Sequence, residues 1–387
     1  MRRSLWLFAP VLFLCRTSTL AGQDPHATVL GLHGTVLLNT YYDDAKVSSG
    51  DLPLFVLPPD PAGSPPAHQL GATVRQTRLT ATADRGDLAG AQFHGEVDLD
   101  FYGGSQPSGS GRLSPLLRLR RAFGELDWAR SSLLIGEEAP PISPVNPRSL
   151  ATSGFPGFTA TGNLWLWIPQ IRYEMDFKGG DGLRPGIGLA LLAPTAASTD
   201  TTINQQPTLA ERSGRPAVEA RVTARWGGAT GGEIGFGGHY GWLQTPTGDT
   251  LLVVKALAFS AIIPLGHHLE VRGEGYSGQG MAALGGGGIG QASGIGGVPL
   301  KSTGGWGQLT LMPSTAWEIG VGYGLDDPDD SQLTGATAKL KNSAASANVT
   351  WHGAPLLAGI EVRHLTTTYA SGDHEAWHLN LALGWEF

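Results

Sequence analysis

Arginine is the conspicuous chemical group in this 387-residue chain. Of its 26 basic side chains 20 are Arg, and many stand near Asp or Glu in sequence. A planar guanidinium fork grips a carboxylate or phosphate at two points, which the Lys ammonium cannot do. The central arginines are Arg78, Arg118, Arg120, Arg121, Arg172, Arg221, Arg225, Arg272 and Arg363. The acids interleaved with them are Glu96, Asp98, Asp100, Glu125, Asp127, Glu174, Glu219, Glu270 and Glu274. Such an inventory suits the handling of charged solutes better than bond-making. His374-Glu375-Ala376-Trp377-His378 fits the zinc pattern H-E-x-x-H. That pattern works on a helix, where both His share one face. Here it opens an alternating segment, and extended backbone separates positions i and i+4 by roughly 13 Å. Gly285-x-Gly287-x-x-Gly290 fits a dinucleotide fingerprint but lies in a Gly-rich run without the flanking strand and helix. Asp326-Asp327-Pro328-Asp329-Asp330 offers at most an exposed calcium site in a loop. No G-x-S-x-G elbow is present. The expectation is a protein that is not an enzyme, with no catalytic residue, cofactor or metal.

The elements that must carry these charges alternate with period two. In 91–101, Ala91, Phe93, Gly95, Val97, Leu99 and Phe101 share one face and Gln92, His94, Glu96, Asp98 and Asp100 the other. Sixteen such segments are expected, near 29–41, 71–84, 91–102, 116–128, 131–138, 168–177, 185–193, 217–226, 232–243, 251–263, 267–277, 304–312, 316–325, 340–351, 356–366 and 376–387. Connections after even-numbered segments are short and those after odd-numbered segments mostly long, the rhythm of a membrane β-barrel with short periplasmic turns and long external loops. Adjacent Arg120 and Arg121 break the alternation and call for a β-bulge. Aromatics at segment ends, among them Tyr41, Tyr42, Phe101, Tyr102, Trp128, Trp226, Trp242, Trp351 and Trp385, suit interfacial girdles. A soluble multi-sandwich or propeller alternates too, but no repeat of 40–50 residues supports a propeller.

Composition fits this class. Charged residues are only 15 %, yet mean hydropathy is −0.06, the average expected of one lipid face and one water face. Gly and Pro together number 83, too many for a long coiled coil, and no apolar run reaches the 18 residues a spanning helix needs. Arg2 and Arg3, the apolar Leu5–Leu14 and Thr19-Leu20-Ala21 read as a secretory leader over 1–21, which also carries Cys15. The remainder, 22–387, has 23 basic against 33 acidic residues. With no basic cluster it is a poor partner for nucleic acid. Its expected surroundings are outer-membrane lipid.

The last segment, Trp377 to Phe387, resembles the C-terminal assembly signal of bacterial outer-membrane proteins, which implies the barrel-assembly machinery as a partner. Gly157–Tyr173, ending Pro169-Gln170-Ile171-Arg172-Tyr173, and the Arg75-Gln76-Thr77-Arg78-Leu79 stretch followed by the acidic 92–100 strand are similar to the DcaP-like, dicarboxylate-induced porins. That resemblance implies a sixteen-stranded homotrimeric channel, a third loop folded inward and a preference for small anionic solutes. The loop is 139–167, stiffened by Pro140, Pro141, Pro144 and Pro147. Glu137 and Glu138 lead into it and Arg148 sits midway. An acidic loop opposite an Arg-lined wall would set up a transverse field, and charge rings select ions by sign. The rival functions are a barrel whose external loops bind a ligand or mediate adhesion, and an outer-membrane hydrolase.

Overall fold

A computed structural model describes residues 27–60, 67–104, 115–180, 182–196, 206–228, 231–245 and 247–387. The expected leader, 1–21, lies outside them. The strands are β1 Val29–Asp43, β2 Gln69–Thr73, β3 Arg78–Leu88, β4 Ala91–Asp100, β5 Arg118–Asp127, β6 Ser131–Glu138, β7 Ile168–Asp176, β8 Arg184–Leu192 and β9 Ala217–Arg225. They continue with β10 Glu233–Gln244, β11 Leu251–Pro264, β12 Leu269–Gln279, β13 Lys301–Ser314, β14 Trp317–Pro328, β15 Lys339–Gly353, β16 Leu356–Tyr369 and β17 Gly372–Glu386. Each pairs antiparallel with its neighbours, and β17 returns to β1, so the sheet closes. Closure leaves no strand edge unpaired, the condition for spanning hydrocarbon with strands.

β2 and β3 occupy one position in the barrel. β1 pairs Asn39–Asp43 with β2 and Val29–Thr35 with β3. Between these stretches four residues, Val74 to Thr77, oppose three, Val36 to Leu38, so a bulge interrupts a single strand. Sixteen strands therefore circle the barrel. The expected rhythm of turns and loops holds, and the two connections expected to be shorter on the long-loop side, 244–250 and 367–375, are short. The final connection on the long-loop side is only Ala370–Ser371, because β16 and β17 pair all the way to Tyr369↔Gly372.

One face of every strand is apolar and outward. On β17, Trp377, Leu379, Leu381, Leu383 and Trp385 are each 42–54 % exposed, while Ala376, His378, Asn380 and Ala382 between them are buried. Leu189, Val222, Phe236, Leu257, Phe259, Val321 and Ile360 extend the belt around the wall. An apolar surface this continuous is built for hydrocarbon, since water-facing patches are normally a few hundred Å². Two of the expected girdle aromatics are not in the belt. Tyr41 shares the inner face with Asn39 and Asp43 and is 1 % exposed, and Tyr102 turns inward to donate a hydrogen bond to Asp51 at 2.6 Å.

Glycines on the inner face of β14 make room for the inward loop. A side chain at Gly324 would meet the Phe158 side chain at 2.9–3.0 Å and run into the Thr161 carbonyl, and one at Gly322 would meet the Phe158 ring at 2.7 Å. Gly324→Leu should therefore unseat Phe158 and lower stability by about 1–3 kcal/mol, the usual cost of overpacking. The check is the temperature at which the barrel unfolds in detergent, followed by gel mobility. An unchanged temperature would contradict this seating.

Candidate functional site

The connection 139–167 runs inside the barrel, and its backbone polar groups are met by side chains of the wall. Ile142 N–H donates to Glu219 of β9 at 3.0 Å. Val145 N–H donates to Glu274 of β12 at 2.7 Å, and Ser143 Oγ donates to the same carboxylate at 2.5 Å. Gln308 of β13 accepts from Arg148 N–H and donates to its carbonyl (2.7 and 2.8 Å), with Asn348 of β15 donating to that carbonyl at 2.6 Å. The loop then crosses to the bulge between β2 and β3. There Gln76 donates to the Ala151 carbonyl and accepts from Gly154 N–H. A buried loop must satisfy its backbone in some such way, so these polar groups define its path. On the return limb Phe158 stacks on Trp306 with 5.9 Å between centroids.

The arginine cluster of β3–β5 stands where the loop tip arrives. Arg78 reaches Asp98 (2.6 Å), Arg118 reaches Asp100 (2.6 Å), and Arg120 lies near both (3.3 and 3.5 Å). Arg121 pairs with Glu138 at 2.8 Å and with Glu96. Asp98 faces Arg121 and Leu99 faces Leu119, which makes Arg120 the extra residue of a β-bulge and turns both arginines inward, as the broken alternation predicts. The guanidinium of Arg120 donates to the Ser153 carbonyl at 2.6 Å and that of Arg118 to the Gly154 carbonyl at 3.0 Å. Tyr102, Phe155 and Trp167 pack against these guanidinium planes, with Arg118 4.5 Å from the Phe155 centroid and Arg120 4.6 Å from that of Trp167. Asp98 and Asp100 are wholly buried beneath, whereas Arg78 and Arg118 retain 15 % and 19 % side-chain exposure. Over Asp98 and Asp100 the exposed surface is guanidinium, while at the Arg121–Glu96 pair both partners reach it, 10 % and 14 % exposed.

The remaining arginines also sit in ion-pair networks. On the turn side Arg225 bridges Glu174 (3.2 Å), Asp176 (3.0 Å) and Glu233, while Arg221 reaches Glu233 at 2.6 Å. Arg172 lies 3.5 Å from Glu174, and Arg272 pairs with Glu270 at 2.5 Å. Arg363 pairs with Glu361 at 2.7 Å. Glu233, Glu361 and the amides Gln76, Gln308 and Asn348 did not stand out in the sequence. The only available signal was their place on the polar parity of their strands.

The acidic character expected of the inward loop is corrected. Its one charged residue is Arg148, which reaches Glu270 (3.3 Å) and Glu318 (3.1 Å) on the far wall. Glu137 and Glu138 belong to β6, and register puts them on opposite faces. Glu138 pairs with buried Ile168, while Glu137 pairs with exposed Pro169 and with Ala122, so it faces outward.

A second inward segment, 44–58, is tied beside the loop tip. Arg75 donates to Asp51 at 2.7 Å and through a second, shorter contact, while Tyr102 donates to the same carboxylate. Burial pushes the Asp51 carboxyl up, but these donors and the Arg75 charge outweigh it and hold the group below the usual carboxylate range. The lowered value makes the tie fully effective above the unfolded pKa of about 3.9 and loses it as pH falls through the folded value. Hydrogen exchange in 44–58, taken relative to the intrinsic amide rate at each pH, should therefore rise on acidification below pH 4. Asp51→Asn should show that faster exchange already at pH 7. Equal exchange in the variant and the parent at pH 7 would refute the tie.

The discounted motifs find plain roles. His374 and His378 lie on the inner parity of β17 and Glu375 on the outer, and His378 Nδ1 is 2.8 Å from Asp43. Gly288 and Ile289 both have positive φ (61° and 56°), and their N–H groups point at the Asp326 carboxylate at 3.2 and 3.3 Å. This small anion cradle is filled by the chain itself.

Comparison with solved structures settles the architecture. The outer membrane channel DcaP of Acinetobacter baumannii superposes with a TM-score of 0.70 at 16 % identity, over 93 % of this chain and 98 % of that one. This is the porin fold. An anion-selective porin from Comamonas acidovorans shares the porin barrel with a TM-score of 0.58 and 11 % identity, over 93 % of this chain and 100 % of its own. OmpF of Salmonella typhi, in complex with daunomycin, gives 0.55 and 12 %, over 92 % and 97 %. No protein-family model matches the chain, and no curated protein matches it.

Proposed function

We propose that this chain is a passive channel of the bacterial outer membrane, exported by residues 1–21, that admits small hydrophilic solutes and favours anions such as dicarboxylates. The observation that carries this reading is the loop 139–167, folded through the lumen with its tip against Arg118 and Arg120. Sixteen strands enclose an aqueous lumen rather than a packed core, so a loop laid across it restricts passage. What a solute meets beside the tip is positive, because Asp98 and Asp100 lie underneath Arg78 and Arg118. Similarity to DcaP and to an anion-selective porin adds support to the anion preference. A trimer fits the same reading, since one similar structure is a trimer form of OmpT of Vibrio cholerae. Glu137, on the outer face, takes no part in the lumen.

The test is single-channel recording of the purified protein in planar bilayers under a salt gradient. Stepwise conductance with a reversal potential on the anion side is expected. Absence of conductance would overturn the channel, and a cation-side potential would overturn the preference.

A further inference from the structure

The inner face of a water-filled barrel is ordinarily polar, yet part of this one is apolar. Near the long-loop ends of β8–β11, Ala190, Leu192, Ala217, Leu243, Val254 and Ala256 stand on the inward parity of their strands and are buried. Ile142 and Leu164 of the inward loop cover them, together with Met281 and Leu284 from the connection 280–300. That connection is laid on the loop's return limb, where Leu166 N–H donates to the Leu284 carbonyl at 3.0 Å. A second core stands against β13, β15 and β16. It joins Val47 and Val56 of segment 44–58 and Phe158 of the loop to Trp306, Ala344 and Leu365 of the wall. Apolar packing of this kind stays dry, and a charged solute entering it would lose its hydration without gaining a partner.

Neither core includes a residue of β2–β5. There Tyr102 packs against two guanidinium groups, Arg75 4.2 Å and Arg118 5.3 Å from its centroid, and the Phe155 ring meets it edge-on at 4.9 Å. Both arginines keep 19 % side-chain exposure, while their partners Asp51 and Asp100 are wholly buried. We infer that the two cores seal the long-loop half of the lumen against β8–β16 and leave one off-centre port, rimmed by Arg75, Tyr102, Arg118 and Phe155, through which solute enters. The inference deepens the channel reading above and rests on it. It makes Arg75 a selectivity residue beside Arg118, since a solute passes its guanidinium before it reaches the loop tip.

Thiol labelling with an anionic, membrane-impermeant methanethiosulfonate tests this, read by intact mass and by current in planar bilayers. The chain's only cysteine is Cys15, ahead of the barrel, so each substitution places the one thiol in residues 22–387. Ser153→Cys, at the loop tip below the port, should take the label and lose current as it does. Ala256→Cys and Ala344→Cys point inward on β11 and β15, yet both should stay unlabelled in the folded barrel and label fully once it is unfolded. Adding Met281→Ala/Leu284→Ala to Ala256→Cys should make its thiol reactive. Labelling of Ala256→Cys or Ala344→Cys as fast as Ser153→Cys would overturn the seals, and an inert Ser153→Cys would overturn the port. An Ala256→Cys thiol still inert after the double substitution would take the cover away from Met281 and Leu284. The mass readout needs no current, so a barrel that labels as expected but never conducts refutes the channel alone, and a conducting barrel that labels everywhere refutes only the port.

Discussion

Replacing Glu219 and Glu274 together by Ala is expected to raise the unit conductance and make it noisy. These two carboxylates hold the first limb of the inward loop, taking Ile142 N–H, Val145 N–H and the Ser143 hydroxyl. Each such hydrogen bond contributes about 1 kcal/mol net. Losing all three, about 3 kcal/mol, changes the ratio of detached to seated loop by about a hundredfold. The tip stays tied to Gln76, Arg118 and Arg120, so the limb swings rather than leaves, which is the origin of the noise. Glu219→Gln/Glu274→Gln keeps an acceptor oxygen at each position and should stay close to the parent. Heat-modifiable gel mobility confirms that both variants fold. An alanine variant with the parent's conductance and quiet open level would mean that the limb is held elsewhere.

Much of the barrel was legible in the sequence because its solvent changes sides at every residue. With lipid outside and water inside, period-two alternation is obligatory, and β4, β7, β9 and β17 display it without interruption. The bulge at Arg120 was legible for the same reason, since two adjacent polar residues cannot both face lipid. The break between β2 and β3 carries the same signal, since Arg75, Gln76, Thr77 and Arg78 are four polar residues in a row, but 71–84 was expected as one segment and it is the register that reveals the extra residue. Tyr41 and Tyr102 misled because an aromatic at a strand end suits an interfacial girdle and an inner packing site equally well.

The lumen was legible as a list of charges but not as a circuit. Ion pairing depends on which strands lie side by side and on how the loop crosses between them. Arg148 and Glu318 are 170 positions apart, and nothing local joins them. Glu137 and Glu138 show the limit most plainly. Adjacent in sequence and identical in type, they face opposite sides of the wall because β6 still runs as a strand through both. The transverse field expected between an acidic loop and a basic wall is replaced by a loop bearing one positive charge and walls that are internally paired. Selectivity then depends on which member of each pair reaches the water.

That distinction sets the second large effect. Arg118→Gln/Arg120→Gln/Arg121→Gln should move the reversal potential toward cations. A unit charge about 10 Å from a permeating ion contributes about 0.4 kcal/mol in water. Three of them act with opposite sign on anion and cation, so the ratio changes by about 2.4 kcal/mol unscreened. Salt near 0.1 M reduces this about threefold at that distance, leaving about 1 kcal/mol, or roughly a fivefold change in permeability ratio. The effect should grow at lower salt. Two of these arginines also hold the loop tip at Ser153 and Gly154, so charge and geometry must be separated. The triple Lys variant does this, because it keeps the charge but loses the forked contacts. If the positive charge of this cluster selects, the Lys variant remains on the anion side while the Gln variant crosses over. If both variants shift alike, the loop tip and not the charge sets selectivity. If the Gln variant folds and keeps the parent's reversal potential, these arginines serve only to pair with Glu96, Asp98, Asp100 and Glu138.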